Sequence, residues 1–510
     1  MTGKKILIYK EVLLIICLFI LFSNVCACSK EEPQEPENTV QTESLQPLSL
    51  AMYTGEKLDP YTAKSMANKN ISSLCYCGLF AVNDQWTEVP ILASEYNMTE
   101  NKLSVTIKSD AVFSDGTSVT AQDCVYSFNK AKAEGSIYAS RFIYIKSYVA
   151  QSHNVFVITF TDASLNNVNL LDIPIIKSGS DKNEYPIGAG AYFPKSSPNG
   201  DGTDGLSLYP NKHFMLEDVS VSQKIKVNKY NSSEEMLYAF NYGSVHAMYA
   251  NISEGKNNYR GNIELSVFTT NNFVFAYINP KSVYFTNRAV ASQGLSYAIN
   301  RKALVSETLN GCATDVWFPY NPTWGKVVAA QLNNDIYSLE LAKNRLYEAR
   351  LYVNNGKLEW YGKPAEIKIV VNNDSFSKSS VAKKIAEDLN AVGFTATVES
   401  LKWEEYEKAV KEGNYDIFIG EIKMPANMDI LSFESIIGFK YSNVMAEAIR
   451  SFNEGRIGVR EFMTVFSSEM PFIPLYFTQS ALAVNRVVKG TFTPSENYLF
   501  FNIETWKVSS

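Results

Sequence analysis

The 510-residue chain is 46% hydrophobic and 20% charged, with a net charge of −6. This is enough to bury a large core and the wrong balance for nucleic acid, which needs clustered Lys and Arg. His-Glu-x-x-His, Gly-x-Ser-x-Gly and Gly-Lys-Ser/Thr do not occur, which argues against zinc proteolysis, a hydrolase elbow and a P-loop. His153, His213 and His246 stand far apart and read as exposed or loop residues. The expectation is a protein that is not an enzyme and uses no cofactor or metal.

At the amino terminus, Lys4, Lys5 and Lys10 precede an unbroken apolar run over residues 12–22. Eleven residues fall short of the roughly 20 a spanning helix needs, so residues 1–27 read as a secretory signal. The following Val25-Cys26-Ala27-Cys28 resembles the lipobox of bacterial lipoproteins, with Cys28 as the lipid-carrying residue. Residues 28–47, poor in large apolar groups, read as a flexible tether. Three lysines and one glutamate leave with the signal, so the mature 483 residues carry −8. That length suits about three domains of roughly 150 residues. Cys75, Cys77, Cys124 and Cys312 remain; a chain this large does not need disulfides, and Cys124 reads as a buried free thiol.

Further along, residues 103–107 (LSVTI) alternate apolar and polar as a half-buried strand does. Ser114-Asp-Gly116 turns the chain, and Thr120-Ala-Gln-Asp123 is a capping-box pattern opening a helix with Ala121, Val125, Phe128 and Ala131 on one face. Residues 272–279 and 415–419 read as buried strands. Asn287 leads a helix with Ala291, Leu295, Ala298 and Ile299 on one face, closing in Asn300-Arg-Lys302. Residues 367–371, a helix stopped at Gly393, and residues 394–398 form a βαβ unit, so the fold class is α/β with mixed sheets.

The wording FSDGTSVTAQD at residues 113–123, with the flanking Pro90-Ile-Leu-Ala-Ser and Val125-Tyr-Ser-Phe128, resembles the oligopeptide- and dipeptide-binding family of extracytoplasmic solute-binding proteins of ABC importers. Leu58-Asp-Pro60, the loop Tyr185-Pro-Ile-Gly188-Ala-Gly190-Ala-Tyr192 and Phe472-Ile-Pro-Leu-Tyr476 extend the resemblance over nearly all of the mature chain.

The resemblance implies a two-lobed periplasmic-binding-protein fold (class II, cluster C) with a hinge between the lobes. A first lobe would span residues 48–269 and 478–510, with the family's extra subdomain at about 71–186, and a second lobe would span 270–477. It implies ligand contacts at Tyr138, Trp317 and Tyr476. Peptide binders carry Gly-Trp-x-x-Asp after the strand matching residues 415–419, and its Asp takes the peptide's ammonium as a charge-assisted bond. Here the Trp is missing and Ala426 falls at the Asp position, leaving Glu421 or Asp429 as substitutes. The implied protein is a monomer, lipid-anchored on the outer face of the bacterial cell membrane, that delivers a short peptide to an ABC permease and ATPase complex. Alternatives are a sugar, metal chelate or other small polar solute, or a peptide-pheromone sensor without transport.

Overall fold

Apolar residues at period two become strands wherever one face can be covered, and Leu103, Val105 and Ile107 are accordingly buried in the strand Lys102–Ile107. The chain is described by a computed structural model over residues 46–198, 204–214, 223–253, 259–332 and 336–509. The expected signal at 1–27, its Cys28 and all but the end of the 28–47 tether lie outside the described residues.

The strand Lys102–Ile107 sits in a four-stranded antiparallel sheet with Ala93–Thr99, Val155–Phe160 and Ile145–Ala150. Helix Ala121–Lys132 packs against it, opened by a reciprocal capping box: Thr120 Oγ1 accepts from Asp123 N (3.3 Å) while Asp123 Oδ2 accepts from Thr120 N (3.0 Å). A second four-stranded sheet pairs Leu48–Tyr53 with Ile225–Tyr230 in parallel and continues through Asp204–Pro210 to Tyr192–Pro198. These sheets share one apolar core with helix Met66–Cys75. At Gly188 and Gly190 the chain passes so close to Cys75 that a Cβ would lie 2.4 Å from its backbone, so only glycine fits there.

The second core surrounds a larger sheet ordered Ala247–Ala250, Ile473–Asn485, Ile263–Ile278, Ile417–Lys423, Glu366–Asn372, Thr395–Leu401. Its last three strands are parallel, and helix Phe376–Ala391 crosses between Glu366–Asn372 and Thr395–Leu401, ending near Gly393 at φ +112° as the βαβ reading predicts. Ile263–Ile278 and Ile473–Asn485 run antiparallel through both cores. Phe268, Leu482 and Val484 belong to the first, while residues 273–278 and 473–477 belong to the second. Their register shifts between Thr269 and Phe273, where the hydroxyls of Thr270 and Thr478 meet at 2.6 Å.

One local expectation is corrected. The helix after Asn287 stops at Ala298, and Asn300 opens another, Arg301–Thr308, by accepting from Ala303 N (3.0 Å). An asparagine side chain satisfies an orphan amide at a helix start better than it continues a helix. His246 is half-buried: its Nδ1 accepts from Ser49 N (3.1 Å), and burial lowers its pKa below the ordinary value. Cys75, Cys77, Cys124 and Cys312 are free thiols. No helix among the described residues is long and apolar enough to cross a membrane.

Candidate ligand-binding cleft

Successive residues of a strand point to opposite faces, so the return strand Ile473–Asn485 presents two surfaces where it leaves the second core. Gln479 faces a cavity of about 450 Å³, and Thr478 and Ser480 face a smaller one of about 90 Å³. Gln479 is set in place by donating to Thr314 Oγ1 (3.1 Å), which also meets Thr269 Oγ1 at 3.0 Å.

The larger cavity lies between Val267–Thr269 of the outgoing strand, the tip of the hairpin at Asn83–Trp86, the loop at Pro322–Thr323, and residues 494–497. Asn83 shapes the hairpin by accepting from the amides of Gln85 (3.0 Å) and Thr87 (2.9 Å). Trp86 is only 4% exposed; it belongs to the second core although its hairpin grows from the first. Its Nε1 donates to Thr323 Oγ1 (3.2 Å), and Gly325 N donates to Gln85 O (2.9 Å).

Beside this, the turn Leu165–Leu171 supplies a row of asparagines. Asn427 Nδ2 donates to Asn167 Oδ1 (2.9 Å), Asn169 Nδ2 donates to Trp86 O (2.7 Å), and Lys326 Nζ donates to Asn166 Oδ1 (2.7 Å). Asn167 and Asn427 are fully buried, and their remaining groups are satisfied as well: Asn167 Nδ2 donates to Asp162 Oδ1 (3.0 Å) and Asn427 Oδ1 accepts from Asp429 N (3.3 Å).

The smaller cavity is lined by Glu421, Tyr476, Lys378, Ser375 and Tyr249, among others. Glu421 and Lys423, two apart on Ile417–Lys423, share one face of that strand. Both are ion-paired: Lys378 Nζ–Glu421 Oε2 at 2.9 Å, and Lys423 Nζ–Glu496 Oε1 at 2.7 Å. Glu496 also lines the larger cavity.

Of the five residues singled out from sequence, Glu421 and Tyr476 come together at the smaller cavity. Tyr138 packs edge-on against Tyr61 (6.4 Å between centroids) with the Arg141 guanidinium 4.7 Å over its ring. Trp317 is half-buried against Phe318 (6.0 Å), its Nε1 without a hydrogen-bond partner. Asp429 is 6% exposed, and its Oδ1 accepts from Leu431 N (3.0 Å) and Asn453 Nδ2 (3.1 Å). Burial raises its pKa, and those bonds offset part of the rise. None of these last three lines either cavity. Sequence reasoning missed Lys378, Lys423, Glu496 and the hairpin tip. The period-two spacing of Glu421 and Lys423 was the one available signal.

Two apolar cores joined by two antiparallel strands, with cavities beside the crossing, define a two-lobed binding protein. The family model "Bacterial extracellular solute-binding proteins, family 5 Middle" matches residues 87–429. The chain belongs to that family. It is 22% identical over 489 residues to the oligopeptide-binding protein AppA of Bacillus subtilis (strain 168), covering 86% of this chain and 87% of that one. Among solved structures, the fold is similar to the unliganded open form of the periplasmic murein tripeptide-binding protein MppA (TM-score 0.73, 18% identity, 91% of this chain and 98% of that one). It is also similar to NikZ of Campylobacter jejuni in complex with Ni(L-His) (TM-score 0.62, 19% identity, 90% and 99%).

Proposed function

We propose that the protein captures short peptides between its two lobes and delivers them to an ABC permease and ATPase complex. The observation that carries this reading is the cavity of about 450 Å³ beside the crossing strands, walled by residues of both cores. The relation to oligopeptide-binding AppA adds the ligand class. We place the first lobe at residues 48–269 and 478–510, with its subdomain at about 71–186, the second at 270–477, and the hinge at the register shift beside Thr270. A ligand that touches both lobes only when they are closed shifts the open–closed equilibrium, and the closed form is what a permease recognises. Strand-like main-chain bonding suits peptides, because it recognises the repeating backbone and leaves side chains in wet pockets. Glu421 is the carboxylate we assign to a peptide ammonium, exchanging Lys378 for the ligand, since Asp429 already spends its bonds on Leu431 and Asn453. Tyr476 lies beside it. No catalysis is assigned.

Native mass spectrometry of protein purified from rich medium tests the ligand class. Co-purified peptides are expected. A single non-peptide solute would instead favour the second reading, a metal chelate or other small polar compound, which the likeness to NikZ supports.

We further propose a monomer anchored through Cys28 on the outer face of the cell membrane. Cys28→Ala is expected to release the protein in soluble form, because the tether that follows is too polar to hold a bilayer. A variant that stays membrane-bound points to an uncleaved signal anchor.

A further inference from the structure

The larger cavity carries charge of one sign. Among the described residues that line it, Asp84 and Glu496 are acidic and none is Lys, Arg or His. Asp84 is exposed at the hairpin tip, whereas Glu496 is only 7% exposed. Lys423, the ion-pair partner of Glu496 Oε1 (2.7 Å), does not line the cavity, and its side chain is 55% exposed. Among the described residues no hydrogen bond or ion pair reaches Glu496 Oε2. Gln479 uses its Nε2 on Thr314, and its Oε1 has no donor among the described residues. Two acceptors lining one cavity, one of them anionic and nearly buried, call for donors that these residues do not supply.

We propose that this cavity selects peptides carrying a lysine or arginine side chain, with Glu496 receiving the cationic head. This rests on the peptide reading above and adds the side chain that is selected, whichever way the ends of the peptide are held. Val267, Pro322, Val328 and Pro494 supply apolar lining for the methylene stem. Long cationic side chains lie along such surface and keep the head on a polar group. That head brings several N–H donors, which are what Glu496 Oε2 and Gln479 Oε1 lack. Exchanging Lys423 for it costs little, because an ion pair with an exposed lysine is weak in water. Asp84 at the rim attracts the same cation from a distance, an effect that salt screens. An acidic side chain meets two like charges instead, so the selection works by repulsion as well as attraction. A bare metal ion does not fit, since among the described residues no group of three or more His, Cys, Asp or Glu could hold one.

The test titrates wild type, Glu496→Gln and Lys423→Gln by calorimetry with alanine tri- to pentapeptides that carry one lysine, norleucine or glutamate at each position in turn. All have the same free ends, so recognition of the ends cancels. Cadaverine and agmatine are added as cations without a peptide bond. At one position or more, lysine peptides are expected to bind wild type about 10- to 100-fold more tightly than norleucine peptides, with glutamate peptides weakest. Glu496→Gln is expected to lose the lysine preference and keep its affinity for norleucine peptides, which a misfolded variant would not do. Lys423→Gln, which frees Glu496 of its competitor, is expected to raise the preference, and a merely structural ion pair would not produce that gain. Equal binding of lysine and norleucine peptides to wild type overturns the selection and leaves peptide capture standing. If no peptide binds but cadaverine or agmatine binds wild type and not Glu496→Gln, peptide capture falls and the cation site stands. Binding of nothing, or a lysine preference equal in wild type and Glu496→Gln, overturns the assignment to Glu496.

Discussion

Two regions join the cores in chemically different ways. Around Trp86 and the turn Leu165–Leu171 the contact is built mainly of neutral groups: an indole in the far core and the amides of Asn167, Asn169 and Asn427, with Lys326 on Asn166 and Asp162 on Asn167 at its edge. Around Ile417–Lys423 the contact is ionic and partly wet: Lys378 with Glu421 and Lys423 with Glu496. A buried amide left unbonded costs its full desolvation, so the neutral region defines one arrangement firmly. Ion pairs near water are worth little net free energy, so a ligand can replace one partner cheaply. The comparison teaches that shape and selectivity are assigned to different chemistry on neighbouring walls of one cleft.

The sharpest break comes at the indole. Trp86→Ala removes a large side chain from the second core and is expected to cost about 3–5 kcal/mol, lowering the thermal midpoint. Small-angle scattering of the same variant is expected to show a larger radius of gyration. An unchanged midpoint would mean that the hairpin adds nothing to the neutral contact.

Asn167→Ala comes next, leaving the buried Asn427 amide unpaired at a loss of about 1–3 kcal/mol. In a double-mutant cycle with Asn427→Ala, the two losses should be strongly non-additive. Additive losses would show that the amides do not act as a pair.

Lys69 should move the other way. Its folded pKa of about 8 lies below the ordinary lysine value near 10.5, so between those pH values the unfolded chain holds a proton the native state lacks. Stability therefore rises with pH across about 8 to 10.5 and, below 8, lacks the full amount of that rise. Lys69→Met is expected to stabilise the ligand-free protein at pH 7, on the order of 1 kcal/mol or more, and to abolish the rise. A destabilised variant would show that Lys69 has a structural partner.

Lys378→Gln is the smallest effect, within about 1 kcal/mol and further reduced by salt, because Glu421 then faces water. A loss of several kcal/mol would make the pair structural and remove Glu421 from the ligand's reach.

Where one stretch of chain contains its own reasons, its structure was legible beforehand. Thr120 and Asp123 cap their helix because the donors they satisfy lie within three residues, and residues 103–107 alternate because a strand's two faces differ. The unit from Glu366 to Leu401 was equally plain, since Gly393 punctuates a helical period between two apolar runs. Asn300 shows the edge of this legibility, because a polar residue after an apolar helical period reads equally as the end of one helix and as the cap of the next.

The cleft belongs to the tertiary structure. Glu421 and Tyr476 were singled out from sequence and meet at one cavity, but Tyr138, Trp317 and Asp429 do not reach it, because each finds packing or hydrogen bonds elsewhere in the fold. Nothing near Lys69 in the sequence marks it out. Its lowered pKa comes first from burial and then from Lys423, with Glu496 opposing, and those residues lie hundreds of positions away. Periodicity and capping act through neighbours a few residues apart, so the sequence alone determined the elements and the family. Burial of a charge and the pairing of its neighbours depend on chain segments far apart in sequence, so only the folded structure decided which charges stand against the cavities and which pair elsewhere.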